Sequence, residues 1–304
     1  MPADPAPATP HSPCAHAARR GIILMVAAIF MFSLMDVAAK AISQRADTVM
    51  ALWARYAGQM LIVVVIALPR LHTIARTRYP SIQFARSLAL LAASSFMFFG
   101  IARLDLAEVT AVMATNPVLI TLGAALFLGE RLGWRRVAGI AVALGGALMI
   151  IRPGTAVFSL YALLPLCAAI CFATYALLTR RVGRDESPWT SLLYTAAVGC
   201  VVLSLIVPAF WIPPDRITVA WMVFIAATGA AGQLLLIRAL TVAEASTVAP
   251  FSYCGVIFAT LFGLTLFGEV PDALTVLGAL VIVGAGLYVW RRETRARATT
   301  GPRV

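Results

Sequence analysis

Ten long apolar runs alternate with short polar punctuation along the chain. The runs lie near 21–41, 48–68, 84–104, 106–128, 134–151, 158–179, 189–210, 217–239, 244–267 and 273–290. Each is of the length, about 18 residues or more, that lets a helix cross roughly 30 Å of hydrocarbon. Pro69-Arg70, Arg152-Pro153-Gly154, Ser187-Pro188 and Ile212-Pro213-Pro214-Asp215 mark breaks between runs, because proline and glycine end periodic structure. The pattern predicts an all-α integral membrane protein with ten transmembrane helices.

The runs repeat as a set of five. Ala27-Ala28-Ile29 returns as Ala168-Ala169-Ile170, Leu106-Ala107-Glu108 as Val242-Ala243-Glu244, and Gly129-Glu130 as Gly268-Glu269. Gly139 and Gly145 match Gly278 and Gly284 at the last offset. Five is odd, so the second copy enters the membrane upside down relative to the first. The domains expected are a disordered cytoplasmic tail at 1–18, a first repeat at 19–153, a second at 154–292 and a basic cytoplasmic tail at 293–304. Arg19-Arg20 ahead of an apolar run, with small residues near Ala39 and Ala41, imitates a signal peptide. Nine further spans favour a retained first helix.

Composition sharpens this picture. The chain is 61% hydrophobic and 12% charged, with a mean hydropathy of +0.91, whereas soluble domains carry about 25% charged residues. The net charge of +11 does not make a nucleic-acid surface, because the basic residues sit between spans and at the ends. With both termini placed in the cytoplasm, eighteen Lys and Arg, Arg86 among them, fall on inside segments or the adjoining run ends and five on outside ones, and Arg55 lies deep within a span. That bias satisfies the positive-inside rule and orients the chain with both termini in the cytoplasm. It also explains why FLGERLGWRR (127–136) keeps Arg131, Arg135 and Arg136 while its twin LFGEVPDALT (266–275) has none: the first loop faces the cytoplasm and the second faces out.

With these features the sequence resembles the EamA branch of the drug/metabolite transporter superfamily. The resemblance rests on two sets of five spans, on Pro117 upstream of FLGER (127–131), and on Ala249-Pro250-Phe251-Ser252-Tyr253 upstream of LFGE (266–269), each followed by a glycine-rich helix. It covers about residues 20–292. It implies one bundle with a central cavity at the repeat interface, working by alternating access on a small organic metabolite. Amino acids, a vitamin such as riboflavin, S-adenosylmethionine and metallophores are the substrate types it brings.

Polar groups inside spans are costly and therefore functional candidates. Asp36 and Lys40 lie four apart on one face of the first helix, and Arg55 lies at similar depth on the second. Two readings stand side by side: a charged patch that binds a zwitterionic or anionic solute or trades protons at Asp36, and an ion pair holding the hairpin while Lys40 snorkels to the interface. Asn116 and Pro117 fall in mid-span, and Pro250 with Ser252 and Tyr253 makes the comparable break in the second half. Proline frees a carbonyl and kinks a helix, and paired breaks in inverted repeats point to a transport site or to simple bundle shaping. Gln233 needs partners in a dry span, and Trp53, Tyr175 and Tyr253 offer aromatic walls with polar tips. Trp189, Trp211 and Trp221 lie near span ends as interface anchors.

Glu108 and Glu244 begin equivalent helices, where a carboxylate suits the helix dipole. Glu130 and Glu269 close those helices at the unfavourable end, so each requires a cation or a backbone donor, as in a structural hairpin lock. Gly139, Gly145, Gly146, Gly278, Gly284 and Gly286 would let the fifth and tenth helices approach each other or the scaffold closely. Cys167, Cys171, Cys200 and Cys254 lie inside runs without ligand partners, and His11, His16 and His72 lie outside them. No metal site, nucleophile elbow or nucleotide loop is present in the sequence, and no cofactor is expected.

The reading is a secondary transporter, not an enzyme, with a lipid bilayer and a small-molecule substrate as partners and no nucleic acid. Proton coupling, solute exchange and unaided facilitation all fit this reading, as do a monomer and a homodimer. The alternatives are a membrane-embedded enzyme, which would need clustered carboxylates or histidines at one membrane face, and a non-transporting membrane subunit.

Overall fold

A computed structural model describes residues 13–128, 134–152, 159–182, 186–242 and 248–300. Ten helical segments account for the ten runs. They are α1 (Pro13–Ser43), α2 (Thr48–Ala67), α3 (Pro80–Ile101), α4 (Leu106–Met113 continuing as Asn116–Leu128), α5 (Trp134–Ile151), α6 (Leu164–Val182), α7 (Pro188–Ile206), α8 (Arg216–Val242), α9 (Cys254–Phe262) and α10 (Ala273–Thr300). Seven described helices are long and apolar enough to cross a membrane. Leu106–Ile120, Val137–Ile151 and Phe251–Phe267 are shorter apolar helices.

Local chemistry sets the ends. Asp47 caps α2 by accepting from Val49 N–H at 2.8 Å, and Ser187 caps α7 by accepting from Trp189 N–H, so each supplies an acceptor for a helix N–H that has no intrahelical partner. Pro80 and Pro188 occupy first turns, where a missing N–H costs nothing. Both expected proline breaks are present. α4 is interrupted at Ala114 and Thr115, just before Asn116-Pro117, and a 3-10 turn at Ala249–Tyr253 leads into α9. The helices run further than the tails anticipated: α1 starts at Pro13 and α10 reaches Thr300. Both segments, CAHAARR and RRETRARATT, are dominated by alanine and arginine, good helix formers that extend an existing helix.

α1 packs along α8, α2 along both α7 and α8, and α3 along α6 and α7, while α5 pairs with α10. Small residues set these approaches. Gly199 of α7 lies under the Tyr56 ring, where a Cβ would come within 2.2 Å of it, and Gly58 meets Ala226. Gly146, late in α5, meets Gly278, early in α10, and Gly139 meets Val289 at the other end. The two helices are therefore antiparallel and joined backbone to backbone, as inverted repeats require. Gly145 and Gly284, which match each other between the repeats, have no neighbouring atom within 4 Å of a Cβ position, so they take no part in the seam. The main core contains Tyr56, Phe98, Ile42, Met50 and Ile225. Leu205, Ile257, Val223, Leu61 and Leu280 are mostly exposed, an outward apolar surface suited to lipid.

Candidate functional site

Asp36 projects from α1 half-buried, and its Oδ1 is enclosed without a hydrogen-bond partner. Arg55, on α2, is 8% exposed, and its Nε likewise has no partner. The guanidinium lies 5.1 Å from the Tyr56 ring centroid and 5.5 Å from that of Phe98, an aromatic seating that stabilises a cation without neutralising it. The Arg55 charge reaches Asp36, yet no ion pair forms between them, so the hairpin-holding pair is not what the structure contains. Gly229 of α8 covers the place: a Cβ there would lie 3.2 Å from Met35 Sδ and 3.8 Å from Arg55 Cγ.

Among the other enclosed polar atoms without a partner are Thr110 Oγ1 and Asn116 Oδ1 on α4 and Tyr253 Oη before α9. Thr110 and Ile29 of α1 both approach Gly255, which brings α1, α4 and α9 together about two turns from Asp36 along α1. Tyr253 packs its hydroxyl against Gly286 of α10. Buried polar atoms are nearly always hydrogen-bonded, so the exceptions on helices of both repeats are positions where a bound molecule would supply missing partners. Ser252 is half-buried in the same turn, and Gln233 is half-buried beside Gly232, which abuts Phe32 of α1.

Two expected pathway residues are engaged elsewhere. Trp53 donates from Nε1 to Ser204 Oγ at 3.0 Å and meets Trp211 edge-on, so it joins α2 to α7. Tyr175 belongs to a cluster around Arg86. That guanidinium is 4% exposed and donates to Thr179 Oγ1 (2.7 Å), Gln83 Oε1 (2.6 Å), Ser191 O (3.4 Å), Tyr175 Oη (3.3 Å) and Thr195 Oγ1 (3.5 Å). Arg86, grouped by sequence with the inside arginines at the head of the third run, is a buried residue of α3. The Tyr79-Pro80 step was the available signal, since proline favours the first helical turn and places Arg86 two turns inside α3.

Lys40 corrects a second expectation. It neither pairs with Asp36 nor snorkels. It forms an ion pair with Glu269 and donates to Leu104 O at 2.8 Å, with both charged side chains about nine-tenths buried. Glu269 also accepts from Leu106 N–H at 2.9 Å, and its own N–H bonds to Gly263 O across a turn in which Gly268 takes φ +68°. The carboxylate thus finds both the cation and the backbone donor that its position demands. Its twin Glu130 and the helix-opening Glu244 lie outside the described residues, and Glu108 lies in the first turn of α4. Nearby, Arg152 pairs with Asp272, whose carboxyl is held down to about 2 by that hydrogen bond and by the Thr275 N–H. Asp105, at the start of α4, is pushed up by burial and by the charge of Glu269.

Two surface depressions lie at the ends of the bundle. One, of about 290 Å³, is lined by Thr73, Arg78, Glu186 and Thr190, and the other, of about 260 Å³, by Arg45, Pro214, Asp215 and Thr218. Neither contains the orphaned polar atoms of the interior.

Two five-helix repeats of opposite orientation, with enclosed unpartnered polar atoms on helices of both, are the frame of a multi-pass membrane transporter. The model of the EamA-like transporter family matches residues 19–152 and again 159–291, and the chain belongs to that family. A riboflavin transporter of Rhizobium johnstonii is 31% identical over 225 residues, covering 72% of this chain and 73% of its own length. An S-adenosylmethionine uptake transporter of Rickettsia felis is 25% identical over 221 residues, covering 73% and 75%. The pseudopaline exporter CntI of Pseudomonas aeruginosa is 28% identical over 280 residues, covering 90% and 97%. A solved crystal structure superposes on 90% of this chain and 98% of its own with a TM-score of 0.65 at 18% identity, a likeness of fold alone.

Proposed function

We propose that this chain is a secondary carrier that moves a small organic metabolite across the bacterial cytoplasmic membrane by alternating access, with both termini in the cytoplasm. The observation that carries the reading is the set of enclosed, unpartnered polar atoms at Asp36, Arg55, Asn116 and Tyr253, contributed by helices of both repeats. Ionisable groups in a membrane interior are expensive and are retained where a solute or ion uses them. Arg55 offers a donor to an anionic group and Asp36 an acceptor to a cationic one, so the pair suits a solute that bears both. Amino acids, S-adenosylmethionine and metallophores have such groups. Riboflavin, the substrate in the name of one relative, would use the hydrogen-bonding positions instead.

The test has two arms. Metabolomics of cells and medium, with and without the gene, identifies the solute: one that accumulates inside on deletion is exported, and one left in the medium is imported. Proteoliposome flux of that solute should then be abolished by Asp36→Asn and by Arg55→Ala, with membrane insertion intact. Normal flux in both variants removes the two residues from the site. Turnover of a compound without its movement overturns transport in favour of a membrane-embedded enzyme.

A further inference from the structure

The Lys40–Glu269 contact is a cross-brace between three helices. Lys40 ends α1, Glu269 follows α9, and both reach the start of α4, through Leu104 O and Leu106 N–H. In the orientation proposed above this is the outer end of the bundle, one helical turn beyond Asp36. About nine-tenths of both side chains are buried, so the brace is packed into this end of the bundle. The Phe267 ring, 5.4 Å from Lys40 Nζ, roofs the ammonium.

Lys40 has a second acid within reach. Asp36 is four residues before it on the same helix face, the spacing and order in which an acid and a following base pair best on a helix. In the present structure Lys40 is committed to Glu269, and Asp36 Oδ1 has no partner. The ammonium is thus held by Glu269, with Asp36 one helical turn away along α1. Of the other charged groups at this end, Arg152 pairs with Asp272, Arg103 stacks on Tyr161, Arg55 faces Asp36 from α2, and Asp105 and Glu108, at the start of α4, also lie in the field of Lys40.

We propose that Lys40 is a two-position switch, held by Glu269 when the outer face is closed and by Asp36 when it is open, so that a positive charge received at Asp36 keeps the outer face shut. An empty, ionised Asp36 draws Lys40 away from Glu269 and frees the start of α4. A cationic group of a solute seated on Asp36 removes that alternative, and Lys40 returns to Glu269. Occupancy of the interior site is thereby read at the outer face by a single side chain. The proposal rests on the carrier reading above, but its test reads conformation and not flux, so the two fail separately.

Spin labels on Val270→Cys and Leu160→Cys, at positions 73% and 74% exposed beside the brace, would be attached in a background lacking the native cysteines. Their separation is measured by double electron–electron resonance in reconstituted full-length protein. Glu269→Gln should add a longer-distance population, raised about tenfold over the parent, the shift produced by loss of roughly one charge-assisted hydrogen bond. Asp36→Asn should do the opposite and narrow the distribution onto the short distance. Glu269→Gln combined with Asp36→Asn should lie between the two, and Lys40→Arg should keep the short distance. If Asp36→Asn leaves the distribution of the parent unchanged, the brace is merely structural and the switch is refuted. A Glu269→Gln variant that inserts normally and stays at the short distance refutes it as well.

Discussion

Replacing Arg86 with lysine should harm the protein more than replacing it with methionine. The guanidinium sits among neutral partners, with two short hydrogen bonds, to Gln83 and Thr179, and three longer ones. A bond to a charged group contributes about 1.5–3 kcal/mol net, and only the two short ones reach that range. Against them stands the desolvation of a buried ion, several kcal/mol. The terms nearly cancel. Arg86→Met gives up both together, and its unbranched side chain fills the space, so it should cost about 1–2 kcal/mol, the range of most single substitutions. Thr179 and Thr195 keep their own bonds to Tyr175 O and Ser191 O, which limits the loss. Arg86→Lys retains the buried charge but lacks the planar fork that spans α6 and α7 at once. It should cost about 3–5 kcal/mol, the penalty for a buried charge left short of partners. Unfolding in detergent, followed by tryptophan fluorescence at one heating rate, gives the order of apparent melting temperatures: wild type above Arg86→Met, and Arg86→Met above Arg86→Lys. A lysine variant as stable as the methionine one would show that the cluster works by charge and not by fork geometry.

Gly199→Ala places a Cβ within 2.2 Å of the Tyr56 ring, and that ring is pinned through its hydroxyl to Ser94 at 3.0 Å. Overpacking of about 1–3 kcal/mol should lower the melting temperature, and shortening Tyr56 to leucine in the same chain should recover part of it. Asp272, held down to about 2 from an ordinary 3.8 by the Arg152 hydrogen bond, contributes stability that is complete above about pH 4 and lost as pH falls toward 2. The stability difference between wild type and Asp272→Asn should therefore be flat from pH 8 to 5. A difference that shrinks within that window means that the pair titrates elsewhere.

The architecture was legible because lipid imposes a one-dimensional code. Run length, proline breaks and arginine bias are local properties, and the Gly-Glu repeat tied the two halves together before any contact was seen. Even the needs of Glu269 could be read from its place at a helix C-terminus. What could not be read was partner choice. Lys40 stands four residues from Asp36 in sequence, but Glu269 reaches it from 229 positions away, and no local pattern encodes that. Arg86 was misread for a smaller reason: a run begun at 84 and not at Pro80 sets a buried guanidinium at the very head of its helix, where it passes for an inside flanking charge. The aromatics divided likewise by tertiary neighbours: Trp53 found Ser204 and Tyr175 found Arg86, while Tyr253 kept an enclosed hydroxyl without a partner.

The glycine seam between α5 and α10 has a consequence for engineering. Gly146 and Gly278 face each other so closely that neither helix could tolerate a side chain there, and each comes from a different half of the polypeptide. The covalent link between repeats is thus duplicated by a fitted surface that carries its own address. Two genes, one ending after α5 and the other beginning before α6, should yield fragments that find each other in the bilayer. The carrier could then be isotopically labelled, tagged or varied one half at a time.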